Sequence, residues 1–109
     1  MKHSKRSELI AKFHFTRKAV DDLSDIWNYM VDEWSEDQAD QYYEMLIASC
    51  RKVAENPILF GRKYEKITEG LYGFKANKHI IFYRIMEDAD VEIVRILHER
   101  MDLKNQVGK

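Results

Sequence analysis

HIIFYRIMEDADVEIVRILHERMD, residues 79–102, carries the clearest structural pattern in this chain. Two apolar runs, Ile80–Met86 and Val91–Leu97, flank a short acidic segment. Both runs are rich in β-branched residues, which is typical of strands, and the acidic segment predicts a reversal between them. Because Ile80–Tyr83 is apolar at every position, this strand is expected to be central, with helices over one face of its sheet. The polar cluster after the second run is either an active site or the exposed end of a strand.

Upstream of these strands the apolar residues recur at helical spacing. Thr16 is a suitable N-cap for a first helix, whose apolar stripe contains Ala19, Leu23, Ile26, Trp27, Met30 and Trp34. Ser35 and Gln38 match a capping box that begins a second helix, with apolar positions at Ala39, Tyr42, Tyr43, Leu46, Cys50 and Val53. Asn56-Pro57 ends that helix, since the residue before a proline disfavours the α conformation. The carboxylates on the other face of the first helix, Asp22 among them, are predicted to be solvated.

The remaining segments complete an α+β domain. Residues 12–15 alternate polar and apolar side chains, which predicts a short first strand, and residues 58–70 are predicted to form a loop with one helical turn. Three strands follow, at Leu71–Ala76, Lys78–Met86 and Val91–His98. The order β-α-α-β-β-β predicts an antiparallel helical hairpin packed on one face of a mainly antiparallel sheet. Residues 1–11 are an N-terminal extension, residues 12–102 the single domain, and residues 103–109 a C-terminal tail.

The composition limits the class of function. The 109 residues include 18 basic and 19 acidic side chains, a net charge of −1, so no general grip on nucleic acid is expected. No apolar run approaches the roughly 20 residues that span a bilayer, which predicts no membrane partner. The basic N-terminus lacks a following apolar segment, so it is not expected to be a secretory signal. The single cysteine excludes an internal disulfide and favours a cytoplasmic location.

Few side chains have a pattern that predicts chemistry. Cys50 lies on an apolar stripe and is expected to be structural, while the four histidines lack metal-ligand spacing. We therefore predict no metal and no cofactor. Two polar groups remain as candidates for binding a target, although both could equally be ordinary exposed edges. The first contains Arg62, Lys63, Tyr64, Lys66, Tyr72 and Lys75, of which Arg62, Lys63, Tyr72 and Lys75 are the preferred candidates, and the second His98, Glu99 and Arg100.

Four groups of residues also carry a family resemblance: Phe15-Thr16 followed by Ala19, Asp22, Leu23 and Ile26-Trp27; Ala54–Pro57 with Gly61; His79–Arg84; and Ile96–Asp102. In this order and spacing they resemble the RelE/ParE superfamily of bacterial toxins, the poison halves of type II toxin–antitoxin pairs. The strand that begins at His79 and the ending His98-x-Arg100-Met101-Asp102 are more similar to the ParE branch than to the RelE branch.

The ParE resemblance implies a protein that poisons DNA gyrase by binding it, with no catalytic residues of its own. It also implies a cognate antitoxin, ParD-like or similar, whose flexible C-terminal segment wraps the toxin's helices and sheet in a hetero-oligomer. Tyr29, Tyr42 and Tyr43 add aromatic surface near the helices, so the free chain is expected to be poorly soluble or dimeric.

The alternative is the RelE branch, whose members cut messenger RNA on the ribosome. That reaction needs a proton acceptor for the 2′-hydroxyl and cations for the developing phosphorane charge. In this chain it would use Arg84, His98 and Arg100. However, Ile80 stands where that branch commonly has an arginine, and no aromatic residue follows Arg100.

The C-terminal segment is the preferred candidate for contact with the target. From His98 to Lys109 it has no apolar stripe that would hold it to the core, so truncation after Leu97 is expected to cost little stability. The competing expectation is that Met101 and Leu103 dock back on the domain.

Overall fold

The sheet and helices follow the predicted order, with additions that the sequence patterns did not indicate. In the computed structural model, which describes residues 12–107, the elements are β1 (Phe13–Phe15), α1 (Arg17–Glu33), α2 (Glu36–Glu55), α3 (Pro57–Phe60), β2 (Arg62–Lys63), β3 (Tyr72–Ala76), β4 (His79–Ile85), β5 (Val91–His98) and α4 (Leu103–Val107). The helical turn α3 falls in the predicted loop, whereas β2 and α4 were not predicted. The proposed extension, residues 1–11, lies outside the described residues.

The strands form one sheet in the order β1-β5-β4-β3-β2, which confirms the α+β architecture. β1 pairs with β5 in parallel, with Phe13 opposite Val91, and the other neighbours are antiparallel. β4 is the middle strand, and Ile81, Phe82 and Tyr83 are fully buried, as its apolar run predicted. No helix within residues 12–107 is long and apolar enough to cross a membrane.

The predicted caps fix the start of each long helix. The Thr16 hydroxyl accepts a hydrogen bond from the Ala19 N–H at 3.1 Å and donates one to the Val94 carbonyl at 2.9 Å. It therefore joins the start of α1 to β5. The Ser35 hydroxyl accepts from the Gln38 N–H at 3.1 Å. Trp34 does not continue the buried stripe as predicted, because it caps the C-terminus of α1 and is 65% exposed.

The sheet buries apolar side chains on both faces, and the second face corrects the prediction for the C-terminus. The face away from the hairpin carries a small core of Leu71, Ile80, Phe82 and Leu97. Leu103 and Val107 of α4 pack on this core. The expectation of a C-terminal segment without apolar ties to the domain is therefore wrong. The docking expectation holds for Leu103, while Met101 remains 43% exposed.

Asp22 also departs from prediction, because β5 passes close to its face of α1. Its carboxylate makes two hydrogen bonds to Arg95, from Nε at 2.8 Å and from Nη2 at 2.9 Å. It accepts a third from the Ile96 N–H at 2.9 Å. The side chains of Arg95 and Asp22 are only 15% and 11% exposed, respectively. Arg95 also donates to the Gln106 carbonyl at 2.8 Å, so one ion pair links α1, β5 and α4.

Candidate functional site

Polar side chains converge at one end of the sheet, where the β3–β4 turn meets the end of β5. His79 lies directly opposite His98, with ring centroids 5.2 Å apart in an edge-to-face arrangement. Tyr42 reaches down from α2, so that its hydroxyl lies 2.7 Å from His79 Nδ1. On β3, Lys75 forms an ion pair with Glu99 at 2.9 Å. We call these five side chains the sheet-end cluster.

The β3–β4 turn brings the cluster together through its backbone. Ala76 and His79 face each other across a two-residue loop. Asn77 occupies the left-handed region at φ 59°, as tight hairpin loops of this kind require. The Lys78 N–H donates to the Tyr42 hydroxyl at 3.4 Å, and the Glu99 N–H donates to the Lys78 carbonyl at 2.9 Å. The turn is therefore held from both α2 and β5.

The electrostatics of the cluster hold His79 neutral. Burial, and then the neighbouring His98, lower the pKa of His79 to about 4. At neutral pH its Nδ1 can therefore accept a hydrogen bond from the Tyr42 hydroxyl, and burial raises the pKa of that hydroxyl, so the proton stays on Tyr42. A histidine with so low a pKa is a weak base near pH 7, where efficient general bases have a pKa close to the working pH. The Tyr42–His79 pair is thus suited to positioning the turn.

The charged side chains of the site are more exposed. The hydrogen bond from Lys75 holds the pKa of Glu99 below its usual value, so this carboxylate stays ionised beside the ammonium group. Arg100 is exposed, and its backbone N–H donates to His98 Nδ1 at 3.1 Å. Nδ1 of His98 is thus a hydrogen-bond acceptor for the backbone of Arg100. The arrangement presents Arg100 on a backbone that is held in place.

The two predicted groups do not form a single rim. Of the first group, only Lys75 meets the second. Arg62 and Lys63 lie on the edge strand β2, opposite Gly73 and Tyr72. This edge is therefore a separate surface from the sheet-end cluster.

Both aromatic neighbours of that edge make ring contacts. The guanidinium of Arg62 lies 5.7 Å from the centroid of the Tyr64 ring. Tyr72 stacks on Tyr83 with a centroid separation of 5.6 Å. Arg62 and Tyr72 are therefore each held against a neighbouring aromatic ring.

Arg84, His98 and Arg100, the residues of the alternative ribonuclease prediction, lie at two different ends of the sheet. Arg84 lies five residues along β4 from His79, a distance of about 16 Å in a strand. Its guanidinium donates to the Glu69 carbonyl at 3.0 Å. His98 and Arg100 are at the other end of the strand. The structure therefore brings His98 and Arg100 together and leaves Arg84 apart.

Two members of the cluster, Tyr42 and His79, were not among the predicted site residues. Tyr42 falls at core periodicity, which gave no sign that its hydroxyl would meet a histidine. The position of His79 could have been predicted from the short hairpin loop, because a two-residue loop after Ala76 places His79 at the end of the sheet, near Lys75. Within residues 12–107, no three histidine, cysteine or carboxylate side chains are grouped so that they could hold a metal ion.

A second surface feature lies on the helical hairpin. A groove of about 440 Å³ is lined by β1, α1 and α2, mostly by apolar or aromatic side chains such as Phe15, Val20, Trp27 and Tyr43, together with the polar Ser24 and Asn28. Asp40 stands at the groove and accepts a hydrogen bond from the Trp27 indole N–H at 3.0 Å. The groove therefore combines an apolar floor with a carboxylate.

Comparison with known proteins identifies the family. The profile of the family described as "ParE toxin of type II toxin-antitoxin system, parDE" matches residues 13–103. The protein named Toxin ParE1 from Mycobacterium tuberculosis is 37% identical over 81 residues, which are 74% of this chain and 82% of that protein. Toxin ParE1 from Caulobacter vibrioides is 33% identical over 96 residues, 88% of this chain and 97% of that protein.

Two solved structures share the fold. A chain of the chromosomal ParDE toxin–antitoxin system from P. aeruginosa superposes with a TM-score of 0.73 at 18% identity, covering 83% of this chain and 97% of its own. A chain of the toxin–antitoxin complex RelBE2 from Mycobacterium tuberculosis gives a TM-score of 0.59 at 16% identity, covering 83% of this chain and 99% of that chain. The profile match over most of the domain, together with the ParE1 relatives, places this chain in the ParE toxin family of type II toxin–antitoxin systems, within the RelE/ParE superfamily.

Proposed function

We propose that this toxin acts by binding DNA gyrase and not by cleaving RNA. The observation that carries the proposal is the separation of Arg84 from His98 and Arg100, which leaves the ribonuclease set incomplete. The low pKa of His79 supports it, because the histidine beside His98 is a poor base near neutral pH. The resemblance to the ParE branch supplies gyrase as the target.

The sheet-end cluster, with Arg100, is our candidate for the gyrase-binding surface. Arg100 is exposed, yet its backbone is held by His98 and by the Glu99–Lys78 hydrogen bond. A cation on a fixed backbone loses little conformational entropy when it binds. The β2 edge, with Arg62, Lys63 and Tyr72, is the second candidate.

A cognate antitoxin is the other proposed partner. The neighbouring structures are described as toxin–antitoxin assemblies, which supports such a partner for this chain. The helical hairpin exposes Tyr29 at 62% and Tyr43 at 39%, and aromatic side chains of this kind are favoured at protein interfaces. Co-expression with the product of the neighbouring reading frame should yield a soluble hetero-oligomer, whereas two separately eluting proteins would contradict the proposal.

The proposed target is tested with purified toxin in a gyrase supercoiling assay on relaxed plasmid. The wild-type chain should inhibit supercoiling, and messenger RNA in a parallel translating extract should remain intact. Arg100→Glu should weaken inhibition, while the matched variant Arg84→Ala should retain it, since Arg84 lies at the other end of β4. Rapid messenger RNA cleavage with supercoiling unchanged would overturn the proposal.

A ribosome-dependent endoribonuclease is the alternative, and the pairing of His79 with His98 beside Tyr42 is the observation in its favour. In that case Arg100→Ala should abolish cleavage and still bind antitoxin. Circular dichroism of the variant separates loss of activity from loss of fold.

A further inference from the structure

The exposed side of α2 changes its charge along the helix. The sequence from residue 19 to residue 50 contains nine carboxylates and no lysine or arginine. On α2, Asp37, Asp40 and Glu44 are exposed in the N-terminal half, and Arg51 and Lys52 are exposed near the C-terminus. Glu44 and Arg51 are seven residues apart, so they lie on nearly the same side of α2 but about 10 Å apart along its axis. This separation prevents them from pairing with each other inside one helix.

Apolar features accompany each charged half. The groove lined by Trp27 and Tyr43 lies beside the acidic half. Beyond the basic end, α3 carries Ile58 and Leu59, which are 69% and 68% exposed. We call these two side chains the α3 knob. Arg62 and Lys63 follow the knob in the chain and extend the basic character of this end, where Glu55 is an acidic exception.

The knob and the groove are complementary in both polarity and charge. The knob is apolar with basic neighbours, and the groove is apolar with acidic neighbours. They lie toward opposite ends of α2, a helix of 20 residues and about 30 Å. When two identical helices lie antiparallel, the N-terminal half of each meets the C-terminal half of the other. A two-fold axis then produces every such contact twice.

We propose that two copies of this chain associate about a two-fold axis with their α2 helices antiparallel, so that the α3 knob of each copy enters the groove of the other. Glu44 of each copy then faces Arg51 of the other. Ala48, an exposed small residue between these charges, lies where the helices cross and permits their close approach. This association concerns the free chain and does not depend on the target of the toxin.

The test is analytical ultracentrifugation of the full chain across a wide range of concentration, after circular dichroism has confirmed that each variant is folded. The wild-type chain should change from monomer to dimer as concentration rises. Leu59→Asp, which places a carboxylate against an acidic groove, should raise the dimer dissociation constant at least about tenfold, as loss of a central interface anchor does. Met86→Asp is the matched control, since Met86 is also exposed but lies on the β4–β5 turn, and it should dimerise like wild type.

A charge exchange tests the antiparallel arrangement itself. Arg51→Glu and Glu44→Arg should each weaken the dimer, because each places like charges opposite one another. The double variant should regain it, and simple misfolding cannot cause such recovery. A wild-type chain that stays monomeric at every concentration, even one whose groove binds an antitoxin, would overturn the proposal. So would a dimer that is insensitive to Leu59→Asp, or a double variant that stays as weak as the single ones.

Discussion

The side chain of Asp22 joins α1 to β5 through contacts with residues that follow it by 73 and 74 positions in the sequence. Its carboxylate binds the Arg95 guanidinium and the Ile96 N–H, while Arg95 also holds the Gln106 carbonyl. Neighbouring carboxylates on α1, such as Asp25, are exposed. Asp22 is thus a structural residue within an acidic helix face, because its carboxylate meets Arg95 and the backbone of β5.

We expect Asp22→Asn to lower the free energy of unfolding by about 2–4 kcal/mol, because it leaves a mostly buried guanidinium without its counter-charge. Asp25→Asn, the matched control on an exposed position, should change it by less than about 0.5 kcal/mol. Urea denaturation measures both. Equal effects of the two substitutions would show that the Arg95 pair adds nothing beyond a surface contact.

His79 should make stability depend on pH. The unfolded histidine binds a proton near its ordinary pKa of 6.5, and the folded one only near 4. Between these pH values the unfolded state binds more protons, so the free energy of unfolding falls as pH falls, and the loss is complete below about 4. The midpoint of urea denaturation should therefore fall more steeply with acidification in wild type than in His79→Gln. Parallel pH profiles for the two proteins would contradict this.

Among the helices and strands, the caps and the order β-α-α-β-β-β along the chain could be predicted, whereas the order of the strands in the sheet and the cross-strand pairing at the site could not. Ser35 and Thr16 act through local hydrogen bonds that depend on a few neighbouring residues, so their patterns are sufficient. The pairing of His79 with His98 depends on a register shift between Phe82 and Tyr83. Counting back evenly from the β4–β5 turn would place Leu97 opposite His79. A bulge of this kind leaves no clear mark in the apolar pattern, because Val94 fits a strand in either register.

The helix α4 escaped prediction for a related reason, since its stripe is only two residues long. Leu103 and Val107 are one helical turn apart, and only the presence of the second core shows that they have something to cover. Likewise, helical spacing predicted a solvated side chain at Asp22 and a core side chain at Tyr42. Their observed partners lie far away in the sequence, on β5 for Asp22 and at the β3–β4 turn for Tyr42. Tertiary contacts, which no local pattern encodes, decided these positions.

Truncation after Asp102 should now destabilise the protein. It removes the packing of Leu103 and Val107 and the Gln106 carbonyl that Arg95 binds, which together contribute about 2–3 kcal/mol. Lys104→Ala, an exposed change on the same helix, should leave stability within about 0.5 kcal/mol. A truncated chain that unfolds at the wild-type urea concentration would show that α4 adds no stability.

At the scale of the whole molecule, a net charge of −1 conceals a strong asymmetry. The nine carboxylates between residues 19 and 50 are balanced by basic residues elsewhere in the chain. The net charge of the whole chain is close to zero, whereas its helical hairpin presents a negative surface. An uneven distribution of this kind influences which partners approach which face.

Salt should therefore weaken the proposed self-association. The contacts between Glu44 and Arg51 of two copies are solvent-accessible, and the Debye length falls from about 10 Å at 0.1 M to about 3 Å at 1 M ionic strength. We expect the dimer dissociation constant to rise as sodium chloride is added, and the charge-exchanged double variant to respond in the same way. A constant that falls with salt would indicate an association driven by apolar contacts alone.

The parallel pairing of β1 with β5 has a consequence for biosynthesis. Phe13 pairs with Val91, which follows it by 78 residues, so β1 cannot join the sheet until β5 has been synthesised. At about 5–20 residues per second, translation of that interval takes roughly 4–16 s. During those seconds the nascent chain has no complete sheet, no sheet-end cluster and no finished toxin. A fragment that ends before β5 therefore lacks the strand that pairs with both β1 and β4, and with it the pairing of His79 with His98.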